Sequence, residues 1–140
     1  MDHLERLAAR AEIDDLLTRY TLAVDGWDFD RLDEVFTPDA VIDYTGSGGI
    51  AGSLPEVQAW LSEALAMASH MQHLIGQRDV VFDGPDAARV RAYFWNPMRI
   101  ALPDSEPFDI EIGGVYEHDL VRTPEGWRSR RLVERQLWRR

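Results

Sequence analysis

Phe108-Asp109-Ile110-Glu111-Ile112-Gly113-Gly114-Val115-Tyr116-Glu117-His118-Asp119-Leu120-Val121-Arg122 is the stretch that decides the fold. Turn chemistry bounds it on both sides: Pro103-Asp104-Ser105-Glu106-Pro107 before it and Pro124-Glu125-Gly126 after it. The whole of 108–122 therefore reads as one strand, much longer than the usual length of about 5–6 residues. A strand of that length in a small sheet must twist and curl, and Gly113-Gly114 in its middle predicts a bulge or a sharp bend. Strands 71–83, 87–101 and 127–138 surround it, with Gly84-Pro85-Asp86 as the break between the first two.

The first half of the chain has the other periodicity. Asp2 with Glu5 three residues on forms a capping-box start, and Ile13, Leu16, Leu17, Tyr20 and Val24 make the apolar stripe of an amphipathic helix that Gly26 stops. A second short helix is expected from Phe29 to Phe36, ended by Pro38. Ala40-Val41-Ile42-Asp43-Tyr44 reads as a short strand and Gly46-Ser47-Gly48-Gly49 as a loop. Ser53-Leu54-Pro55-Glu56 is a second capping box. It opens a helix with Val57, Trp60, Leu61, Ala64, Leu65 and Ala68 on its core face. Three helices packed into one curled, mixed but mainly antiparallel sheet predict an α+β cone, with residues 1–140 as one domain.

Composition narrows the chemistry. The 140 residues include no Cys, which excludes thiol nucleophiles, thiolate metal sites and disulfides. All 15 basic residues are Arg, so lysine chemistry is excluded too, and 25 acidic residues leave a net charge of −10, which disfavours nucleic acid as a partner. Arg128, Arg130, Arg131, Arg135, Arg139 and Arg140 crowd the last strand. Alternation would put Arg128 and Arg130 on one face and Arg131 and Arg135 on the other, mostly as solvated or ion-paired surface with at most one arginine of this strand facing a pocket. No apolar run approaches the ~20 residues of a membrane span, and the acidic opening Met1-Asp2-His3-Leu4-Glu5 is unlike a secretory leader. Together these predict a soluble, cytoplasmic protein.

Several catalytic templates fail. Gly46-Ser47-Gly48-Gly49-Ile50-Ala51 matches G-x-G-x-x-A, but no helix follows directly and no βαβ unit surrounds it. His70 and His73 fall on opposite sides of a strand with no third ligand at metal-site spacing, so neither metal nor cofactor is expected. What remains is a set of polar residues on apolar surfaces: Tyr20 on the core stripe of the first helix, Asp25 at its end, Tyr44 on the short strand, and His73 in Met71-Gln72-His73-Leu74-Ile75. On a continuing helix Tyr20 and Asp25 would point apart, so they share a pocket only if the helix breaks at Asp25-Gly26. An imidazole with an ordinary pKa near 6.5 can take a proton at neutral pH, and a carboxylate on its other nitrogen fixes the tautomer.

Three segments, Tyr20-Thr21-Leu22-Ala23-Val24-Asp25, Trp27-Asp28-Phe29-Asp30-Arg31-Leu32 and Phe36-Thr37-Pro38-Asp39-Ala40, resemble the SnoaL-like branch of the nuclear-transport-factor-like superfamily. Ile42-Asp43-Tyr44, Gln72-His73-Leu74-Ile75-Gly76, Gly113-Gly114-Val115-Tyr116 and Gly126-Trp127 extend the resemblance over essentially the whole chain. Within that branch the pattern is most similar to scytalone dehydratase, bile-acid 7α-dehydratase and hexachlorocyclohexane dehydrochlorinase. The resemblance implies an Asp25–His73 dyad inside the cone, with Tyr20 and Tyr44 as polarising groups. The second histidine of scytalone dehydratase has no counterpart, since Tyr93-Phe94-Trp95-Asn96 occupies that region. The expected function is a cofactor-independent lyase acting on a small hydrophobic substrate. An isomerase or cyclase with the same base, or a non-catalytic binding module, are the alternatives. A homotrimer, or failing that a homodimer, is expected to cover the outer sheet face through Trp95, Phe108, Trp127 and Trp138.

Overall fold

The computed structural model of the protein describes residues 1–140. The elements run in the order α1 (His3–Asp25), a 3₁₀ turn (Phe29–Glu34), β1 (Phe36–Asp43), a second 3₁₀ turn (Thr45–Ser47), β2 (Ala51–Ser53), α2 (Leu54–Ala64), β3 (Ala68–Met71), β4 (Leu74–Phe82), β5 (Ala87–Ile100), β6 (Phe108–Thr123) and β7 (Gly126–Arg139). The seven strands form one sheet in the order β2-β1-β7-β6-β5-β3, with β4 also on β5. The β1–β7 pair is parallel and every other pair antiparallel. The helices pack into the concave side of this curled sheet, giving the expected α+β cone. No helix is long and apolar enough to cross a membrane.

Both expected capping boxes form, Asp2 with Glu5 and Ser53 with Glu56. The α1 stripe of Ile13, Leu16, Leu17, Tyr20 and Val24 is buried in the core. The end of α1 is a Schellman motif, in which Trp27 N–H donates to the Val24 carbonyl and Asp28 N–H to that of Ala23. Its left-handed residue is Trp27, at φ 52°, while Gly26 keeps a φ of −89°. A side chain in that region costs on the order of 1 kcal/mol. The indole Nε1–H of Trp27 donates to the Leu65 carbonyl at 3.0 Å and pins the corner in place.

Three expectations are corrected. The helix expected over Phe29–Phe36 is a six-residue 3₁₀ turn without a side-chain cap, too short to pay the cost of α-helix nucleation, and the chain is already extended at Phe36. Pro38 lies inside β1, where the pairing with β7 skips between Phe36 and Val41 and no ladder N–H is required of it. The helix at Ser53 ends at Ala64, so Ala68 belongs to β3 and not to the helix face. The expected strand 71–83 is interrupted at Gln72-His73. Its register against β5 is unchanged across the gap, with Met71 opposite Met98 and Leu74 opposite Trp95.

The last strand departs most from simple alternation. Leu120 pairs with Ser129 but Asp119 pairs with Arg131, so Arg130 is an extra residue and the facing of β7 inverts there. Trp127 and Ser129 point inward before this bulge, Leu132 and Glu134 after it. Arg128, Arg131 and Arg135 consequently share the outer face, instead of dividing between two, and Arg131 and Arg135 pair there with Asp119 and Glu117. A second shift falls at Gly113/Gly114, as the paired glycines predict, and brings Arg139 opposite inward-facing Ile112. A Cβ on Gly114 would collide with the Arg135 carbonyl and the Phe94 ring, so the curl depends on its absence. Trp127 is buried at 1% exposure, beside Phe82 and under the Arg122 guanidinium, and is not part of an outer face.

His118, unremarked in the sequence, sits deep in the core beside Tyr20 and Tyr116. Ser129 Oγ–H donates to the Arg131 carbonyl at 2.9 Å, so its lone pair accepts from His118 Nδ1–H at 3.0 Å. The tautomer is thereby set, and Nε2 is buried with no partner. Burial lowers the imidazole pKa to about 4. An unfolded histidine starts to bind a proton near pH 6.5, whereas the folded one resists until about 4, so His118 removes stability as pH falls through that window. The loss approaches the order of 3 kcal/mol at its lower end. Urea unfolding at pH about 7 and about 4.5 should show a markedly smaller acid loss in His118→Asn than in the wild type. An equal acid loss in both proteins would exclude His118 as its source.

Candidate active site

The interruption between β3 and β4 is where the site begins. His73 N–H leaves the sheet ladder and donates to Asp25 Oδ2 at 2.9 Å, while its ring Nδ1–H donates to Asp25 Oδ1 at 2.6 Å. One carboxylate thus holds both the backbone and the ring of His73. Asp25 can do this because α1 ends at it and the Schellman turn carries the chain away. A carboxylate at a helix C-terminus opposes the helix dipole, and the two short donations offset that placement. The His73 side chain is only 5% exposed, and its Nε2 makes no hydrogen bond within the protein.

His73 lines a cavity of about 210 Å³ inside the cone, and Asp25 stands behind it, off the cavity wall. Val24, Trp60, Leu61, Leu65, Met98 and Ile112 make the apolar part of the wall. Opposite stand Tyr20, Tyr44 and Tyr116. The Tyr20 and Tyr44 hydroxyls are 2.7 Å apart, Tyr116 meets Tyr20 edge to face at 5.3 Å, and Tyr116 stacks on Phe94 at 4.2 Å. Burial pushes all three phenols well above their ordinary range, so each keeps its proton and serves as a donor. Glu134, directly across the β6–β7 pair from Tyr116, also lines the cavity. Burial raises its carboxyl to about 7, the Tyr116 hydroxyl acting in the opposite sense.

All four residues singled out from the sequence therefore converge, Asp25 on His73 and Tyr20 on Tyr44, around one cavity. His70 does not join them. It bonds Ser69 Oγ and lines an open groove of about 440 Å³ outside the cone, whose charges are engaged in the Arg99–Asp109 and Arg140–Glu111 pairs. No three His, Asp or Glu side chains converge at metal-binding geometry. The loop Gly46–Gly49 does not open a helix. It packs flat on β7, where a Cβ on Gly46 would strike the Glu134 carbonyl, and sets Ser47 on the cavity wall.

The model of the SnoaL-like domain matches residues 5–133. The chain belongs to the SnoaL-like domain family. A relative from Mycobacterium tuberculosis, itself uncharacterised, is 41% identical over 134 residues, covering 96% of this chain and 89% of its own. Among solved structures, a Kribbella flavida protein superposes with a TM-score of 0.87 at 25% identity, covering 96% of this chain and 95% of that one. A hexachlorocyclohexane dehydrochlorinase from Novosphingobium barchaimii gives 0.83 at 21% identity, over 99% and 93%. A Novosphingobium aromaticivorans protein assigned as a scytalone dehydratase gives 0.85 at 17%, over 97% and 89%. At such identities the last two establish the fold alone.

Five polar groups of this SnoaL-like cavity are not among the residues singled out from the sequence: Ser47, Asn96, Tyr116, Glu134 and Arg139. Asn96 was accessible to reasoning, because β5 alternates strictly and residues 88, 90, 92, 94, 96 and 98 all face inward. Its register places it opposite His73, and its Oδ1 is buried without a partner. Glu134 faces inward only because of the bulge at Arg130, and the second shift restores the original facing, so Arg139 is inward as plain alternation from Trp127 gives. For the SnoaL-like domain's histidine, ¹⁵N-resolved spectra of the neutral ring should show Nδ1–H with a bare Nε2. Asp25→Asn should shift the ring toward the other tautomer, since an amide can donate to Nδ1. Unchanged ring nitrogens in that variant would mean that Asp25 does not set the tautomer.

Proposed function

We propose that this protein is a cofactor-independent lyase that removes a proton from a small, largely apolar substrate and expels water or another β-leaving group. The observation that carries the reading is the bare His73 Nε2 on the cavity wall, with Nδ1–H bonded to Asp25 behind it. In that state imidazole accepts a proton, and the Asp25 carboxylate stabilises the imidazolium that forms. One hydroxyl of the Tyr20–Tyr44 pair donates to the other, and the pair offers its remaining hydroxyl proton to a substrate carbonyl as negative charge builds on its oxygen. The apolar wall excludes water from that charge and strengthens each interaction. The structural likeness to a dehydrochlorinase and to a protein assigned as a dehydratase is in keeping with elimination on this scaffold.

Cyclic ketones and their β-hydroxy and β-acetoxy derivatives fit the cavity's size and test the reading. His73→Gln should lower turnover by roughly 10²-fold or more while the melting temperature moves little. Asp25→Asn should give a comparable loss, and the double variant should be little worse than either single one, because the two residues act as a unit. Isotope exchange without product would reassign the protein as an isomerase or cyclase, and neither exchange nor product as a binding module. Wild-type turnover by His73→Gln would end the general-base assignment.

We also propose that the protein is a homo-oligomer, a trimer first and a dimer second. Tyr93, Trp95 and Trp138 are large aromatic residues left about half exposed on the outer face of β5 and β7, and an outer sheet face of that kind is usually covered. Phe108, in register with Ile100, has the inward facing of Ile110 and does not join them. Light scattering at micromolar concentration should give a multiple of 16.0 kDa, and a stable monomer would overturn the assignment.

A further inference from the structure

Glu134 is the carboxyl group for which the reaction above has no use. It lies on the cavity wall at 9% exposure and forms no ion pair. It reaches the interior through the bulge at Arg130, an arrangement that costs the strand a regular ladder. Tyrosines face it from three elements: Tyr116 from β6, Tyr20 from α1, and Tyr44 from the end of β1. His73 and Arg139 line the same cavity.

Resting on the lyase reading, we propose that Glu134 is a second catalytic residue, the acid that protonates a departing hydroxyl in the step in which His73 takes the substrate proton. His73 Nε2 accepts the proton, and the electron pair of the broken C–H bond becomes the new C=C bond. The C–O bond breaks with its pair on oxygen, that oxygen takes the Glu134 proton, and water leaves. The site then holds an imidazolium and a carboxylate. Solvent returns the proton from His73 to Glu134, so the net change is substrate to alkene plus water.

The alternatives in the cavity are poorly suited to this step. The three phenols hold their protons too tightly, and an arginine does not release one. Glu134, raised to about 7, is about half protonated at neutral pH and gives its proton up without a large penalty. Two titratable groups held in contrasting environments, His73 on Asp25 and Glu134 among tyrosines, divide naturally into base and acid.

The acid is needed only when the leaving group is poor, and this separates a catalytic from a structural role. Glu134→Gln should lower elimination from β-hydroxycyclohexanone by roughly 10²-fold. It should change elimination from β-acetoxycyclohexanone, and α-proton exchange of cyclohexanone in D₂O, by less than about threefold. In the wild type the hydroxy substrate alone should lose rate as pH rises past about 7, and that limb should vanish in Glu134→Gln. A loss of equal size on both leaving groups would make Glu134 a structural residue, and no loss on the hydroxy compound would remove it from catalysis. If the wild type neither exchanges nor eliminates, the lyase reading falls and takes this assignment with it. Exchange abolished by His73→Gln but untouched by Glu134→Gln separates failure of the base from failure of the acid.

Discussion

One carboxylate, that of Asp25, joins the helical half of the molecule to the sheet, and the site is organised around it. A strand residue ordinarily gives its N–H to a neighbouring strand. His73 gives its N–H to Asp25 instead, and β3 and β4 part at that residue without losing register. The same carboxylate takes the ring Nδ1–H, so backbone and side chain are positioned together. This works only if the helix ends at residue 25 and turns sharply, which is what the Trp27 left-handed residue and its indole bond to Leu65 accomplish. The strain at Trp27, the broken strand and the unfavourable dipole are tolerated at a single point, where they support one another.

From that point the degree to which the site could be read in advance follows physical lines. Asp25, His73, Tyr20 and Tyr44 are legible because each lies within a regular element or at its end, where periodicity of 3.6 or 2 says which way the side chain faces. The convergence of the pairs is not written in periodicity, and came only from the resemblance to SnoaL-like proteins. The fold was legible for a similar reason: long strands, strong turn residues and two capping boxes all point the same way. The second short helix was misread because a six-residue segment has too few turns for an apolar stripe to distinguish a 3₁₀ turn from an α-helix.

Glu134 could not be placed by alternation, because β7 changes its facing at Arg130 and changes it back only before Arg139. The second change has a sequence marker, Gly113-Gly114, although it stands on the neighbouring strand. The first has none. Arg130 is an exposed arginine among arginines, and nothing in its side chain announces that its backbone is the extra residue. Counting in twos from Trp127 sends Glu134 outward with Arg128 and Arg130, to join a charged surface, and the bulge sends it into the cavity. A carboxyl in a run such as Leu132-Val133-Glu134-Arg135 therefore reads as solvated surface even though it is a buried wall residue.

The same interior treats its two buried, unpaired titratable groups in opposite ways, and the difference bears on what each can do. Desolvation disfavours charge on both, lowering His118 to about 4 and raising Glu134 to about 7. For His118 this means a neutral imidazole over the working range, sealed beneath Tyr20 and engaged with Ser129, with no access to the cavity. For Glu134 it means a carboxyl near its midpoint at neutral pH, on the cavity wall and able to exchange protons with whatever occupies it. Folded pKa values raised above the unfolded one remove stability as pH rises, and lowered histidine values remove it as pH falls, so the two groups oppose each other between about pH 4 and 7. A packed core has no need of Glu134, since an apolar residue there would avoid the desolvation penalty altogether. The His118 penalty is confined to acid pH, whereas that of Glu134 persists at neutral pH, which is where a proton donor is of use.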